Sequence, residues 1–179
     1  PYLEKIEPER IAIAGVALFH KDKFSGETLS KEKSSLLLLM QDQLKDTSSM
    51  ALILEEKSIS FFTRKMKRDM EIKVDKTSGK ITCNVEISLQ IEVISYPQNF
   101  TEKINIKKLE KELSVVLTKQ AKEIITTLLQ ANCDAFGIGM NISSKHPDLW
   151  KKMNWDEEYK NVQIEPKVNV KAIKTGNVY

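Results

Sequence analysis

The segment 85–93 alternates strictly between apolar and polar residues. Val85, Ile87, Leu89, Ile91 and Val93 are separated by Glu86, Ser88, Gln90 and Glu92. Because successive side chains of a strand point to opposite faces, this pattern predicts a strand with one buried and one polar face. Such a strand needs an apolar layer on its buried face, which restricts the chain to layered folds.

A long amphipathic segment follows and can supply that layer. After Pro97 ends the strand, Thr101 is suited to cap a helix of roughly 28 residues, about 40 Å long. Its apolar residues recur every three or four positions: Ile106, Leu109, Leu113, Val116, Leu117, Ile124 and Leu128. This spacing predicts a single buried stripe across a sheet. A coiled-coil partner is the alternative, although no heptad repeat extends beyond this one helix.

The first forty residues predict a hairpin and a second helix. Residues 11–19 are apolar almost throughout, which predicts a buried, central strand. Residues 20–23 then form a turn, and Phe24 begins the return strand. Ser30 is suited to cap a well-buried helix from about Lys31 to Leu44.

The remaining strands are predicted in two regions. Residues 51–74 indicate two or three strands with turns near 55–57 and 67–69. The basic run 64–68 is interpreted as the solvated face and turn of a hairpin, and binding of an anionic partner is the alternative. Residues 161–173 alternate again and predict a last strand, where Pro166 suits an edge or a bulge.

Together these elements predict an α+β fold. We expect a mostly antiparallel sheet of five to seven strands, one long amphipathic helix packed across one face, and shorter helices. A chain of 179 residues is long enough for a single domain, which we place at residues 1–179.

Composition excludes some classes of partner. The net charge of +3 is too balanced to indicate nucleic acid. The longest apolar runs fall short of the roughly 20 residues that span a bilayer.

Cys83 and Cys133 are interpreted as buried free thiols, with a single disulfide as the alternative in an oxidising compartment.

The segment 130–155 contains a Gly-x-Gly, a His-Pro and both tryptophans. Gly137 and Gly139 resemble part of a dinucleotide fingerprint, but Ile142 replaces the third glycine and a helix precedes the motif. We interpret the glycines as allowing positive φ and close backbone approach. Asp134 is expected to fix the turn through backbone amides, with a functional carboxylate as the alternative.

Few other residues in the sequence indicate reaction chemistry. His20 and His146 have no neighbouring ligands at metal spacing, so a zinc site is not expected. Trp150 and Trp155 are interpreted as core anchors, with interface hot spots as the alternative. No convergent set of reactive groups indicates an enzyme.

Two segments resemble one family, the C-terminal domain of the Ger(x)C spore-germination lipoproteins. Residues 13–26, IAGVALFHKDKFSG, are similar to the segment that opens that domain. Residues 133–139, CDAFGIG, with the later His-Pro and Leu-Trp-Lys, are similar to its second signature. The residues that carry the resemblance are interpreted as structural: Gly15, Phe19, Gly26, Asp134, Gly137, Gly139, Pro147 and Trp150.

The resemblance implies a non-catalytic lipoprotein subunit of a nutrient germinant receptor. Such a subunit is tethered at the outer face of the spore inner membrane and acts with two integral-membrane subunits. Its N-terminal lipid anchor and further domains would lie outside this chain, which begins at Pro1 and is expected to be the C-terminal domain alone. No cofactor and no catalytic residue are implied. A small-molecule domain that binds the germinant directly is the alternative.

Overall fold

The computed structural model of the chain describes residues 2–6, 10–43, 48–54, 57–75, 77–95 and 105–175. In chain order, its strands are β1 (Tyr2–Ile6), β2 (Arg10–His20), β3 (Lys23–Ser30), β4 (Ser48–Leu54), β5 (Lys57–Val74), β6 (Ile81–Ser95) and β7 (Gln163–Thr175). Its helices are α1 (Lys31–Met40), α2 (Ile106–Gln130), α3 (Ile138–Lys145), α4 (Pro147–Trp150) and α5 (Trp155–Glu158), followed by a 3-10 turn at Tyr159–Asn161.

The strands form two sheets, in the orders β1-β2-β3 and β4-β5-β6-β7. Among the described strands, all neighbours pair antiparallel except β6 and β7, which pair parallel. The parallel pair is possible because α2 and the helices after it carry the chain back along the sheet. The predicted α+β class is confirmed. The strands are divided between two sheets where the pattern predicted one, because periodicity shows which face is buried but not which strand pairs with which.

Both predicted longer helices are present with different bounds. Ser30 caps α1 as predicted, since its hydroxyl accepts a hydrogen bond from the Lys33 amide. This helix ends at Met40, earlier than predicted. The N-cap of the 25-residue α2 is Asn105, whose side chain accepts a hydrogen bond from the Lys108 amide. Thr101, the predicted cap, lies outside the described residues, as does Leu44.

The turn predicted at residues 67–69 is wrong, because β5 runs unbroken from Lys57 to Val74. Along this part of the strand, exposed side chains alternate with half-buried ones: Lys65, Lys67 and Asp69 against Met66, Arg68 and Met70. Two of the cations that suggested a turn, Lys65 and Lys67, therefore lie on the solvated face of a long strand, whereas Arg68 lies on the opposite face. The chain reverses into β6 after Asp75, whose amide donates to the Lys80 carbonyl at 2.9 Å, and Gly79 has a φ of +72°.

The prediction for residues 11–19 is confirmed in position and only partly in burial. They form β2, which is the central strand of its sheet. Leu18 is 2% exposed, but Ile13 and Phe19 are 60% and 50% exposed. A sheet of three strands has too little covering structure to bury both faces of its middle strand.

The core lies on one face of the four-stranded sheet. Alternate residues of β6 are buried there, from Ile81 to Val93. The apolar stripe of α2 and the leucines of α1 belong to the same cluster. The opposite face of the sheet, here called the outer face, carries the polar residues of β5, β6 and β7.

β7 is an edge strand of its described sheet, as Pro166 suggested. The edge of β7 that is not paired with β6 is covered by α2. Three backbone amides of β7 donate hydrogen bonds to side chains of α2: Val168 to Thr118 Oγ1 at 3.0 Å, Val170 to Ser114 Oγ at 3.0 Å, and Ala172 to Glu110 Oε1 at 2.8 Å. Successive acceptors are four residues apart on the helix, a rise of about 6.0 Å, and successive donors are two residues apart on the strand, a rise of about 6.7 Å. Because these spacings are similar, all three donors lie opposite their acceptors. The helix therefore occupies an edge that could otherwise pair with another strand.

We expect Thr118→Val to lower the free energy of unfolding by about 1–3 kcal/mol, because it leaves the Val168 amide without its acceptor. Urea denaturation measures the change. Thr126→Val is the matched control, since the Thr126 hydroxyl is exposed and donates only to the Lys122 carbonyl of its own helix. Equal effects of the two substitutions would contradict the role of Thr118 at the strand edge.

Candidate functional site

Residues 130–155, here called the corner, begin where α2 ends. Ala131 is the C-cap, and Asn132 adopts a φ of +50°. The Cys133 amide donates to the Leu128 carbonyl at 2.9 Å, and the Asn132 amide donates to the Leu129 carbonyl at 3.1 Å. These two bonds form a Schellman motif, which stops a helix with one left-handed residue. An asparagine occupies that left-handed position here.

Asp134 fixes the start of the next helix. Its carboxylate oxygens accept hydrogen bonds from the amides of Ile138 at 2.9 Å and Gly139 at 2.7 Å. Gly137 is the N-cap of α3, with a φ of +67° and no side chain that could accept these bonds. A carboxylate is stabilising there because the first amides lack partners within the helix. The expected contact of Asp134 with backbone amides is confirmed.

Gly139 allows a close contact between α3 and an aromatic cluster. A Cβ atom at Gly139 would lie 2.6 Å from Trp155 Nε1. The Trp155 ring centroid lies 5.7 Å from that of Trp150 and 5.6 Å from that of Tyr159. Tyr159 is fully buried, and both tryptophans are half-buried against the core. Both tryptophans therefore pack against the core, and their interpretation as core anchors stays a prediction.

Three carbonyl groups of the corner are hydrogen-bonded by side chains from three other elements. Asn132 O lies 2.8 Å from His20 Nδ1, Cys133 O accepts from the Tyr159 hydroxyl at 2.8 Å, and Ala135 O accepts from Gln41 Nε2 at 2.7 Å. A half-buried loop needs such partners because an unpaired peptide carbonyl is costly. The corner is thus fixed by the end of β2, by the residue after α1 and by the 3-10 turn.

The turn between β2 and β3 contacts both the corner and α5. The Phe19 backbone amide lies beside the Cys133 sulfur. Lys21 forms an ion pair with Asp156, 135 positions later, and the hydrogen bond from Lys21 lowers the pKa of that carboxyl. The Asn132 side chain donates to the Asp156 carbonyl at 2.9 Å. The two segments that carry the family resemblance are therefore in direct contact.

The other signature residues lie at separate places. Gly15 is buried within β2, and Gly26 is exposed in β3 with a φ of +91°. The Phe19 ring stacks on the exposed Phe24 ring with centroids 5.9 Å apart. Pro147 begins α4, where its missing amide is harmless. The contacts described above explain the signature residues that lie at the corner. The interpretation of all eight signature residues as structural stays a prediction.

Two thiols and one phenol at the corner favour their neutral forms. Burial raises the pKa of Cys83 to about 11, and the nearby Asp134 charge adds to the effect. Burial also raises the pKa of Cys133 and, strongly, that of Tyr159. A reactive cysteine needs a lowered pKa, because the thiolate is the nucleophile. These thiols have the opposite environment, and both are free.

A groove lies between the end of β5 and the α3–α4 connection within the corner. Its volume is about 370 Å³, and its apolar lining consists of Val74, Pro147 and Leu149. Its charged or titratable lining consists of Lys145, His146, Asp148 and Lys152. Across the described ranges, no group of three or more histidine, cysteine and acidic side chains is arranged to hold a metal ion.

Sequence reasoning missed three residues that fix the corner: Gln41, Asn132 and Tyr159. The aromatic spacing from Trp155 to Tyr159 is a local helical signal that could have identified the tyrosine. Gln41 has no such signal, since its partner Ala135 lies 94 positions away. His20 was considered only as a ligand or a base, whereas its ring contacts a backbone carbonyl.

Comparisons with known proteins agree with one another. The family model described as "Spore germination B3/ GerAC like, C-terminal" matches residues 14–176. The spore germination protein GerQC of Bacillus cereus is 23% identical over 96 residues, which are 54% of this chain and 26% of that protein. The crystal structure of the GerBC protein superposes with a TM-score of 0.75 at 20% identity, covering 96% of this chain and 56% of that chain. This likeness shows a shared fold, and the chain spans about half of that relative.

We expect Gly139→Ala to lower the free energy of unfolding by about 1–3 kcal/mol, because the added methyl group overlaps the Trp155 ring. In a Trp155→Leu background, the same substitution should be neutral or stabilising, since alanine favours a helix over glycine by up to about 1 kcal/mol. Chemical denaturation of the four proteins in this cycle measures both effects. An equal loss in both backgrounds would contradict the proposed overlap.

Proposed function

This chain belongs to the family of spore germination B3/GerAC-like C-terminal domains, and from that membership we propose that it is a non-catalytic interaction domain within the C subunit of a nutrient germinant receptor. It would support nutrient-triggered germination by contacting the two integral-membrane subunits. The family match over residues 14–176 carries the proposal.

Two features of the fold support a role in interaction. The outer face of the four-stranded sheet is polar and uncovered by the described residues, although it contains ordered ion pairs such as Lys167 with Glu86 at 3.1 Å. The corner joins the end of β2, the residue after α1 and the 3-10 turn to the end of α2 through side-chain bonds to its carbonyls. A rigid domain with an open polar face is suited to docking, because little ordering entropy is lost on binding.

The proposed location follows from the same membership. We place the full-length protein at the outer face of the spore inner membrane, held by an N-terminal lipid anchor outside this chain. Within the described ranges, no helix combines the length and the apolar content needed to cross a bilayer. A lipid anchor would give a domain of this kind a position at the membrane without a spanning segment.

Direct binding of a small germinant is the second candidate function. The groove of about 370 Å³ at the corner supports it, since Lys145 and Lys152 could meet an anionic group and Asp148 a cationic one. Its open lining is less enclosing than the pockets that bury most of a small ligand. Calorimetry against amino acids, sugars and nucleosides tests this candidate, and saturable heat with one of them would favour it.

The interaction proposal is tested by recovery of the membrane subunits with the tagged full-length protein from detergent-solubilised spore membranes. We expect the wild-type protein to recover both subunits. Ser88→Glu with Gln90→Glu, which adds two carboxylates to the outer face, should reduce recovery by about tenfold, the equivalent of roughly 1.4 kcal/mol. Lys108→Glu with Lys119→Glu, on the exposed face of α2, is the control pair and should not.

Two results would contradict this proposal. One is that the wild-type protein recovers neither subunit under conditions in which the two subunits recover each other. The other is a loss of germination in the outer-face variant while recovery of both subunits is unchanged, which would separate the function from docking.

A further inference from the structure

The outer face has a cluster of lysines, here called the cationic patch, made of Lys65, Lys67 and Lys171. The strand register places Gln90 of β6 between Lys65 of β5 and Lys171 of β7. The next row along the strands is Lys67, Ser88 and Asn169. Adjacent strands lie about 4.8 Å apart and outward residues of one strand about 6.7 Å apart, so the three lysines share an area about 10 Å wide.

Two carboxylates beside the cationic patch, Glu86 and Glu92, already have other partners. Arg64 binds Glu92 with both Nε and Nη2, at 2.7 and 2.6 Å, and its guanidinium also lies 5.2 Å from the centre of the Phe62 ring. Glu86 accepts bonds from Lys167 at 3.1 Å and from Asn169 at 2.7 Å. The hydrogen bonds from Lys167 and Asn169 lower the pKa of Glu86, which keeps it ionised.

The lysines of the patch have no such partner within the part of the chain that the structure describes. No ion pair there involves Lys65, Lys67 or Lys171, and all three side chains are exposed. Gln90, Ser88 and Asn169 lie among them at strand spacing and can also hydrogen-bond an anion. The patch is therefore a set of free cationic donors on a rigid support.

The other half of the same face has the opposite character. Beyond Ser88 and Lys67, the outward residues include Asp69, Glu71 and Glu165. Lys73 pairs with Glu71 at 2.9 Å, which leaves the other two carboxylates there without a lysine partner in the described residues. A flat anionic membrane laid on this face would attract one half and repel the other. A protein surface can match both halves, because its charges have fixed positions.

We infer that the cationic patch docks an extended acidic segment of a protein partner, with carboxylates on alternate residues meeting Lys65 and Lys67 and a further carboxylate meeting Lys171. The match follows from geometry, since alternate residues of an extended chain also repeat every 6.7 Å or so. This inference deepens the proposed function by naming the face and the chemistry of the partner, and it rests on that proposal for the partner being a receptor subunit.

The test measures binding of the intact chain to a fluorescein-labelled peptide of alternating glutamate and serine, by fluorescence anisotropy at low and high salt. The patch variant is Lys65→Glu, Lys67→Glu and Lys171→Glu. The matched control is Lys107→Glu, Lys111→Glu and Lys122→Glu, which makes the same change in net charge on exposed positions of α2. A neutral patch variant with glutamine at the three patch positions accompanies them, and circular dichroism verifies folding.

We expect the wild-type chain and the helix control to bind the peptide, and the patch variant to bind about tenfold more weakly, since it replaces three attractive exposed charges with repulsive ones. The glutamine variant should lie between them, and added salt should weaken all binding. Vesicles of pure phosphatidylglycerol should not compete with the peptide.

Three results would overturn the inference: no peptide binding by the wild-type chain, equal loss in the patch and control variants, or vesicle binding that the patch variant abolishes. The last result would assign the face to a membrane. Peptide binding through the patch with no recovery of the membrane subunits would instead overturn the proposed function and leave the acidic partner to be found elsewhere.

Discussion

The hydrogen bonds to the carbonyl groups of Asn132, Cys133 and Ala135 are the interactions on which the rest of this fold depends. A helix end that turns sharply inside a protein exposes peptide groups that water cannot satisfy. Here His20, Tyr159 and Gln41 supply the partners, each from a different element. The same three bonds therefore satisfy the loop and join β2, α1 and the segment before β7 to the end of α2.

This arrangement brings together in space the two signature segments, which lie far apart in sequence. The first spans the β2–β3 turn, where Lys21 pairs with Asp156, and its Phe19 amide lies beside the Cys133 sulfur. The second begins at that sulfur and continues through Asp134, which caps α3. The segments form one junction between the three-stranded sheet and the end of α2. Because the junction has neutral thiols and bonded carbonyls, its chemistry is that of a structural support for the exposed faces where we propose docking.

Much of the fold could be predicted from local patterns. The alternation of β6, the stripe of α2 and the Ser30 cap each depend on neighbours a few residues away, and all three are present. The basic run in β5 gave a wrong turn because exposed strand residues and turn residues are both polar. The pairing of β6 with β7 and the division into two sheets depend on long-range contacts, which leave no period in the sequence.

The corner was predictable only in part, because some of its residues have a local sequence signal and others depend on distant partners. The roles of Asp134 and Gly139 follow from residue types that suit turns and close approach. Gln41 and Asn132 could not be found, because an amide side chain is suited to many local settings and only the fold determines its partner. The left-handed residue that ends α2 is Asn132, where glycine is the commoner choice.

Native-state hydrogen exchange of the Ile138 and Gly139 amides tests the central claim, that the corner is a preformed structural junction, most directly. Both amides are bonded to the Asp134 carboxylate in the free protein. We predict that they exchange as slowly as the buried amides of α2, through opening of the whole domain. Fast exchange in the free protein, with protection gained only when a germinant or a receptor subunit is added, would contradict this and would identify the corner as a binding site that orders on contact.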